Sequence, residues 1–185
     1  MKKDMVKSVV VLTAIALVSG VLLGLFHQLT ALTADEEEAR VLEKLAEVVE
    51  LRDPQKVDRR GADDEGVRYF YRDTDAAGEE YYILVTEGEG GYGGPVEMFV
   101  LVQDDRIFRL AVGSNAETPS KLEQILNESY LAQYLDKDIT AIGEFVLKGG
   151  GENGVDAVVS VTRSATAVNN AVNAAVRFYT AWKEA

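Results

Sequence analysis

The chain opens on a long apolar block. From Ser8 to Ala34 there is no Asp, Glu, Lys or Arg, and the stretch from Val9 to Phe26 is almost wholly apolar. About 20 apolar residues suffice to cross a bilayer, so the block predicts a membrane-spanning helix over 8–32. Over 36–51 the pattern changes. Val41, Leu42, Leu45, Ala46, Val48 and Val49 recur at helical spacing with Glu and Lys between them, and Asp53-Pro54 stops the run. The period then shortens to that of strands. Val67–Tyr71, Tyr81–Val85, Val96–Val102 and Ile107–Val112 read as strands, the last two joined by Asp104-Asp105 as a two-residue turn. Lys121 to Leu126, and on to Leu135, reads as helix. Phe145–Lys148 and Val155–Val161 read as two more strands around Gly149-Gly150-Gly151. Val168, Val172, Ala175, Val176 and Tyr179 form one stripe of a final helix over 165–182, with Ser164 as its N-cap. Strands with short turns, closed by helices, predict an α+β domain built on an antiparallel sheet. The organisation is a short N-terminal segment (1–7), a transmembrane helix (8–32) and one domain (33–185).

Charge gives the apolar block a direction. Up to Ala34 the chain holds Lys2, Lys3 and Lys7 against Asp4, which is +2; the remainder holds 16 basic and 30 acidic residues, which is −14. The positive-inside rule places the N-terminus in the cytoplasm and the domain on the periplasmic or extracellular side of the cytoplasmic membrane. A cleaved leader fits less well, since Ala31 and Ala34 have Leu29 and Leu32 two residues before them and make no A-x-A site. A buried core helix seldom runs this long without a polar face. Ala16, Gly20 and Gly24 recur every four residues. Such a ridge lets another membrane helix approach closely, although glycine is also simply common in membrane helices.

Composition narrows the chemistry. The chain has no Cys, which excludes disulfides, thiolate nucleophiles, Cys-ligated zinc and Cys-held iron–sulfur clusters. Its one His, His27, excludes a His-rich metal site, and a Ser–His pair would have to use it. The acidic excess argues against nucleic acid as a partner. The segment with chemical promise is Ser164-Ala165-Thr166 at the start of the last helix. There Thr166 is expected in the first turn, where unpaired N–H groups and the positive end of the helix dipole favour an anion such as a phosphate. An ordinary helix cap is the commoner use of such residues. By the same token the glycines around Tyr92 read as a loop, and Glu117-Thr118-Pro119 as a turn before a helix.

The order of the pieces says more than any one of them. A single span runs into Leu29-Thr30, followed by an acidic helix from Asp35. Then come Gly91-Tyr92-Gly93-Gly94-Pro95-Val96, the Asp104-Asp105 hairpin, Glu117-Thr118-Pro119, and Ala165-Thr166 ahead of Asn169-Asn170-Ala171-Val172. This succession resembles the G subunit of the Rnf complex, the ion-pumping ferredoxin:NAD oxidoreductase of bacterial and some archaeal membranes. It is similar, more distantly, to the C subunit of the sodium-pumping NADH:quinone reductase.

The resemblance implies an extracytoplasmic domain carrying FMN, joined through its phosphate to a Thr in a motif D-x-x-[ST]-G-A-T-x-[ST]. Here that residue is Thr166, preceded by Arg163, Ser164 and Ala165, with Glu117 and Thr118 near the flavin ring or its ribityl chain. It implies a redox-carrier subunit with no catalytic side chain and no metal of its own, not an enzyme alone. Its implied partners are other membrane subunits, met partly through the Ala16/Gly20/Gly24 face, and membrane lipid. The motif departs from the family's at several places. Ser164 stands for the Gly, Arg163 for the Ser or Thr, Ser160 for the Asp, Val168 for the final Ser or Thr, and Ser120 for the Gly after Pro119. Two alternatives therefore stay open. One is a structural subunit of the same complex that has lost the covalent flavin; the other is an anchored extracytoplasmic domain for a different small ligand.

Overall fold

The computed structural model describes residues 2–30, 33–158 and 160–185. The chain divides after Leu42 into two compact units, 1–42 and 43–185. The first contains α1 (Lys2–Thr30), which starts before the predicted span. Within it Met5–Phe26 is long and apolar enough to cross a membrane, and large side chains such as Leu12, Leu17 and Leu23 are exposed. A helix keeps its backbone groups bonded to one another, as hydrocarbon requires. The side chains of His27, Leu29 and Thr30 lie outside the described residues. α2 (Ala34–Val48) begins on a reciprocal capping box. The Glu36 N–H donates to Thr33 Oγ1 at 3.3 Å, and the Thr33 N–H donates to Glu36 Oε2 at 2.9 Å. The helix crosses the boundary between the units and ends three residues short of its predicted limit.

The second unit is built on a five-stranded antiparallel meander. Its strands are β1 (Gln55–Lys56), β2 (Val67–Thr74), β3 (Glu80–Gly88), β4 (Val96–Gln103) and β5 (Arg106–Asn115), lying side by side in chain order. Asp104 and Asp105, with φ of 50° and 62°, form the tight β4–β5 turn, whose mirror-image geometry matches the strand twist. Val96 through Val102 are all buried, which is why β4 reads as an unbroken apolar run and not as an alternation. One face of β3 and β4 packs against a long helix, α6 (Thr162–Glu184). Small residues set that approach: a Cβ on Gly88 would lie 1.8 Å from the Ala167 carbonyl oxygen and 2.4 Å from the Ala171 nitrogen. Elsewhere in the unit Leu45 is fully buried. Lys44 Nζ donates to Ser114 Oγ at 2.7 Å, and Arg109 donates to the Val48 carbonyl, tying the end of α2 to β5. Glu97 is buried, paired with Arg68 at 3.0 Å.

The structure differs from the predicted elements in three further places. The helix expected over 121–135 breaks into α3 (Pro119–Leu126) and α4 (Glu128–Leu131), because Asn127 turns extended and its side chain accepts the Tyr130 N–H as a new N-cap. After α5 (Ile139–Ile142), the two strands expected over 145–148 and 155–161 shrink to β6 (Val146–Leu147) and β7 (Gly154–Val155), paired in parallel. Val155 and Val161 are buried and Val158 is partly so. They serve as separate pegs into the core, which an apolar run does not distinguish from a ladder. Phe145 is held instead by α6: its N–H donates to Asn173 Oδ1 at 2.8 Å, and its carbonyl accepts from Asn169 and Asn173 Nδ2 at 3.1 and 2.9 Å. The third difference is that α6 starts three residues before its predicted limit.

Candidate functional site

That early start reorganises the helix mouth. Val161, not Ser164, is the N-cap, and it offers no side-chain cap. The first amides of the helix, at Thr162, Arg163 and Ser164, are those left without an intrahelical acceptor. Ser160 just before them has a φ of 76°, a left-handed conformation unusual for a residue other than glycine. Ser164 lies inside the first turn, buried, and its Oγ donates to Glu117 Oε2 at 2.5 Å. Thr166 lies in the second turn. Its Oγ1 donates to the Thr162 carbonyl at 2.8 Å, the back-bond open to Thr in helices.

Glu117 gathers the surroundings. Besides Ser164 Oγ, its carboxylate accepts the Gly93 N–H at 2.8 Å and the Tyr92 N–H. Its own N–H donates to Asn115 Oδ1 at 3.1 Å. Burial pushes this carboxyl up, but the Ser164 hydroxyl, the Gly93 and Tyr92 amides and the Arg163 charge outweigh it. The net position is below the ordinary glutamate value. One side chain thus ties the glycine loop after β3 to the loop after β5 and to the mouth of α6. Close approach is what the glycines provide: a Cβ on Gly91 would stand 2.6 Å from Glu117 Oε1, and one on Gly93 2.0 Å from the Ala116 carbonyl oxygen. The same loop is fastened further down α6, where Asn170 Nδ2 donates to the Glu89 carbonyl at 2.9 Å. Gly90 there faces Thr166: a Cβ on it would lie 3.4 Å from Thr166 Cγ2.

A cavity of about 210 Å³ opens at the mouth, lined by Tyr92, Lys121 and residues 160–164. Tyr92 is largely exposed, and the Lys121 ammonium stands 5.7 Å from its ring centroid. Arg163 is exposed on the same lining.

Of the residues singled out from sequence, Glu117, Arg163 and Ser164 come together here. Ala165 is fully buried and serves packing. Thr166 sits one turn beyond the cavity, against Gly90. Thr118 is exposed; its carbonyl accepts the Lys121 and Leu122 amides as α3 begins, and its side chain caps nothing. Sequence reasoning missed Lys121, Thr162 and the fastening role of Asn170. The last was signalled by spacing, since residues 166 and 170 share a helix face. Among the described residues no group of three or more His, Cys, Asp or Glu is placed to hold a metal ion.

First-turn amides, two cations and an aromatic ring stand around one cavity on an α+β frame, an arrangement that favours an anion. Residues 91–177 match the family described as FMN-binding domain, which supports FMN as the cofactor. The residues present suit the group: amides and Arg163 for a phosphate, and an aromatic face beside them. No curated protein matches the chain.

Proposed function

We propose that the chain is a membrane-anchored electron-carrier subunit whose FMN is joined through its phosphate to the Thr166 hydroxyl. The observation that carries this reading is the helix mouth. First-turn amides, Arg163 and Lys121 converge on a cavity one turn from Thr166, inside the segment that matches the FMN-binding domain. FMN supplies reversible electron uptake when bound. The chain's own residues hold it: the amides and the helix dipole favour the phosphate's charge, and Arg163 adds a guanidinium suited to phosphate oxygens. An ester at Thr166 gives up the hydroxyl proton now donated to Thr162. That carbonyl remains an acceptor for the helical amide four residues on. Glu117 and Asn170 fix the glycine loop alongside.

The likeness to the Rnf G subunit supports a place in an ion-pumping ferredoxin:NAD oxidoreductase. Membrane subunits would then be met partly along Ala16, Gly20 and Gly24. The apolar run Met5–Phe26 supports a single-pass anchor, and the lysines ahead of it support a cytoplasmic N-terminus.

A second reading has support in the Ser164–Glu117 bond. The position that the family gives to glycine here carries a buried hydroxyl used within the protein. On that reading the domain is a structural subunit without the covalent flavin, and Arg163 takes the phosphate's place. Intact-mass measurement of the chain produced with a flavin transferase decides. The expected result is the added mass of one phospho-linked FMN with in-gel fluorescence, both lost in Thr166→Val and kept in Thr162→Val. An unmodified wild-type mass overturns the covalent link and leaves the structural subunit.

A further inference from the structure

The loop over 90–94 is built to carry a single side chain. Gly90 and Gly94 have φ of 105° and 131°, a conformation that residues with a Cβ rarely adopt. A Cβ on Gly91 or Gly93 would strike Glu117 Oε1 or the Ala116 carbonyl oxygen. Tyr92 is the position between them that bears a side chain. Its backbone is held in place. The Tyr92 and Gly93 amides donate to Glu117, and Asn170 holds the Glu89 carbonyl just ahead of the loop. The ring itself is 70% exposed. Among the described residues outside α1, Tyr92 and Val146 are the exposed large apolar side chains. A ring so exposed buries little area and adds little to the fold. Fixed in advance at the edge of a cavity, it lowers the ordering cost of binding a flat partner.

The cavity at the helix mouth, of about 210 Å³, is smaller than the roughly 300–1,000 Å³ of pockets that enclose a whole ligand. Its helix end suits a phosphate, so the rest of a flavin nucleotide has to be held at the rim. Tyr92 and Lys121 form that rim. The Lys121 ammonium stands over the Tyr92 ring, 5.7 Å from its centroid, and gives one face positive charge.

Resting on the reading of this cavity as the FMN site, we infer that Tyr92 is the seat of the flavin's ring system and that Lys121 raises the flavin's reduction potential. Flat aromatic systems favour offset stacking, and an exposed phenol ring offers the surface for it. Reduction adds negative charge to the flavin ring, and a cation beside its seat favours the more negative state.

The full chain in detergent, produced without a flavin transferase, is titrated with FMN while flavin emission is followed. The expected result is saturable quenching, kept in Tyr92→Phe and largely lost in Tyr92→Leu. Anaerobic equilibrium dialysis then compares oxidised FMN with dithionite-reduced FMN. Lys121→Met should weaken binding of the reduced form about tenfold relative to the oxidised form, and Lys121→Arg should restore it. That ratio corresponds to about 30 mV in a two-electron potential. No saturable quenching, or quenching undiminished in Tyr92→Leu, overturns the seat. An affinity ratio unchanged in Lys121→Met overturns the role of Lys121. Neither measurement depends on the Thr166 ester, which the intact mass judges separately.

Discussion

Glu117 is where three separate stretches of chain meet, and its charge state governs how firmly they do so. Its carboxylate is largely buried and accepts from the Ser164 hydroxyl and from the Gly93 and Tyr92 amides. Hydrogen bonds to a charged acceptor are worth roughly 1.5–3 kcal/mol, and donors left behind without an acceptor add to the cost of breaking them. Glu117→Gln is therefore expected to lower unfolding stability at neutral pH by about 2 kcal/mol, measured by urea denaturation. The pH dependence follows from the same contacts. The folded carboxyl sits below its unfolded value, so its contribution is present above the unfolded pKa and is lost as pH falls through the folded one. Wild-type stability should fall as the pH drops below the ordinary glutamate range, and Glu117→Gln should flatten that limb. Asp138, lowered by the Thr140 hydroxyl and its turn amides, keeps part of the slope in both proteins. Equal acid limbs in the two would show that the clasp does not titrate. Glu117 itself was legible from the family likeness, but as a neighbour of the flavin. Its role as a clasp depends on Ser164 lying inside the helix, which the missing N-cap signal hid.

Among the elements, the contact between β3 and α6 is the tightest constraint on the site, because it sets where the helix mouth can lie. Gly88 has no room for a methyl group. Its Cβ would meet the backbone of Ala167 and Ala171, which cannot swing away as a side chain could. Overpacking of this kind costs about 3 kcal/mol, so Gly88→Ala should lower the melting temperature by several degrees and loosen FMN. Gly150→Ala meets nothing within 4 Å and should leave both unchanged. Similar melts for the two variants would mean that the helix shifts freely on the sheet. The strands behind this contact were readable from sequence because each is long and the sheet buries them in unbroken apolar runs. The Asp104-Asp105 turn marked its hairpin for the same local reason. Two-residue ladders at β6 and β7 leave no period to read. The start of α6 was missed because Val161 caps with no side chain, whereas Ser164 looks like a cap and is used for something else.

At the scale of the whole chain, charge and hydropathy act together on topology. The domain's acidic excess counts little toward orientation, because acidic residues bear weakly on insertion and a long domain crosses largely regardless of its charge. The deciding residues are lysines and arginines within about 15 residues of the span: Lys2, Lys3 and Lys7 on one side against Arg40 and Lys44 on the other. The margin is narrow, which makes the orientation testable by small changes. Protease added to spheroplasts is expected to digest the wild-type domain while intact inner membranes shield the first few residues. Replacing Lys2, Lys3 and Lys7 with Gln reverses the balance and should leave a protected fraction of full-length chain. A wild-type domain that resists protease until the membrane is dissolved would place it in the cytoplasm and remove it from the electron path proposed above. Carbonate extraction separates the remaining possibility: a retained anchor holds the chain in the pellet, whereas cleavage of the apolar segment releases the domain, and its FMN with it, into the wash.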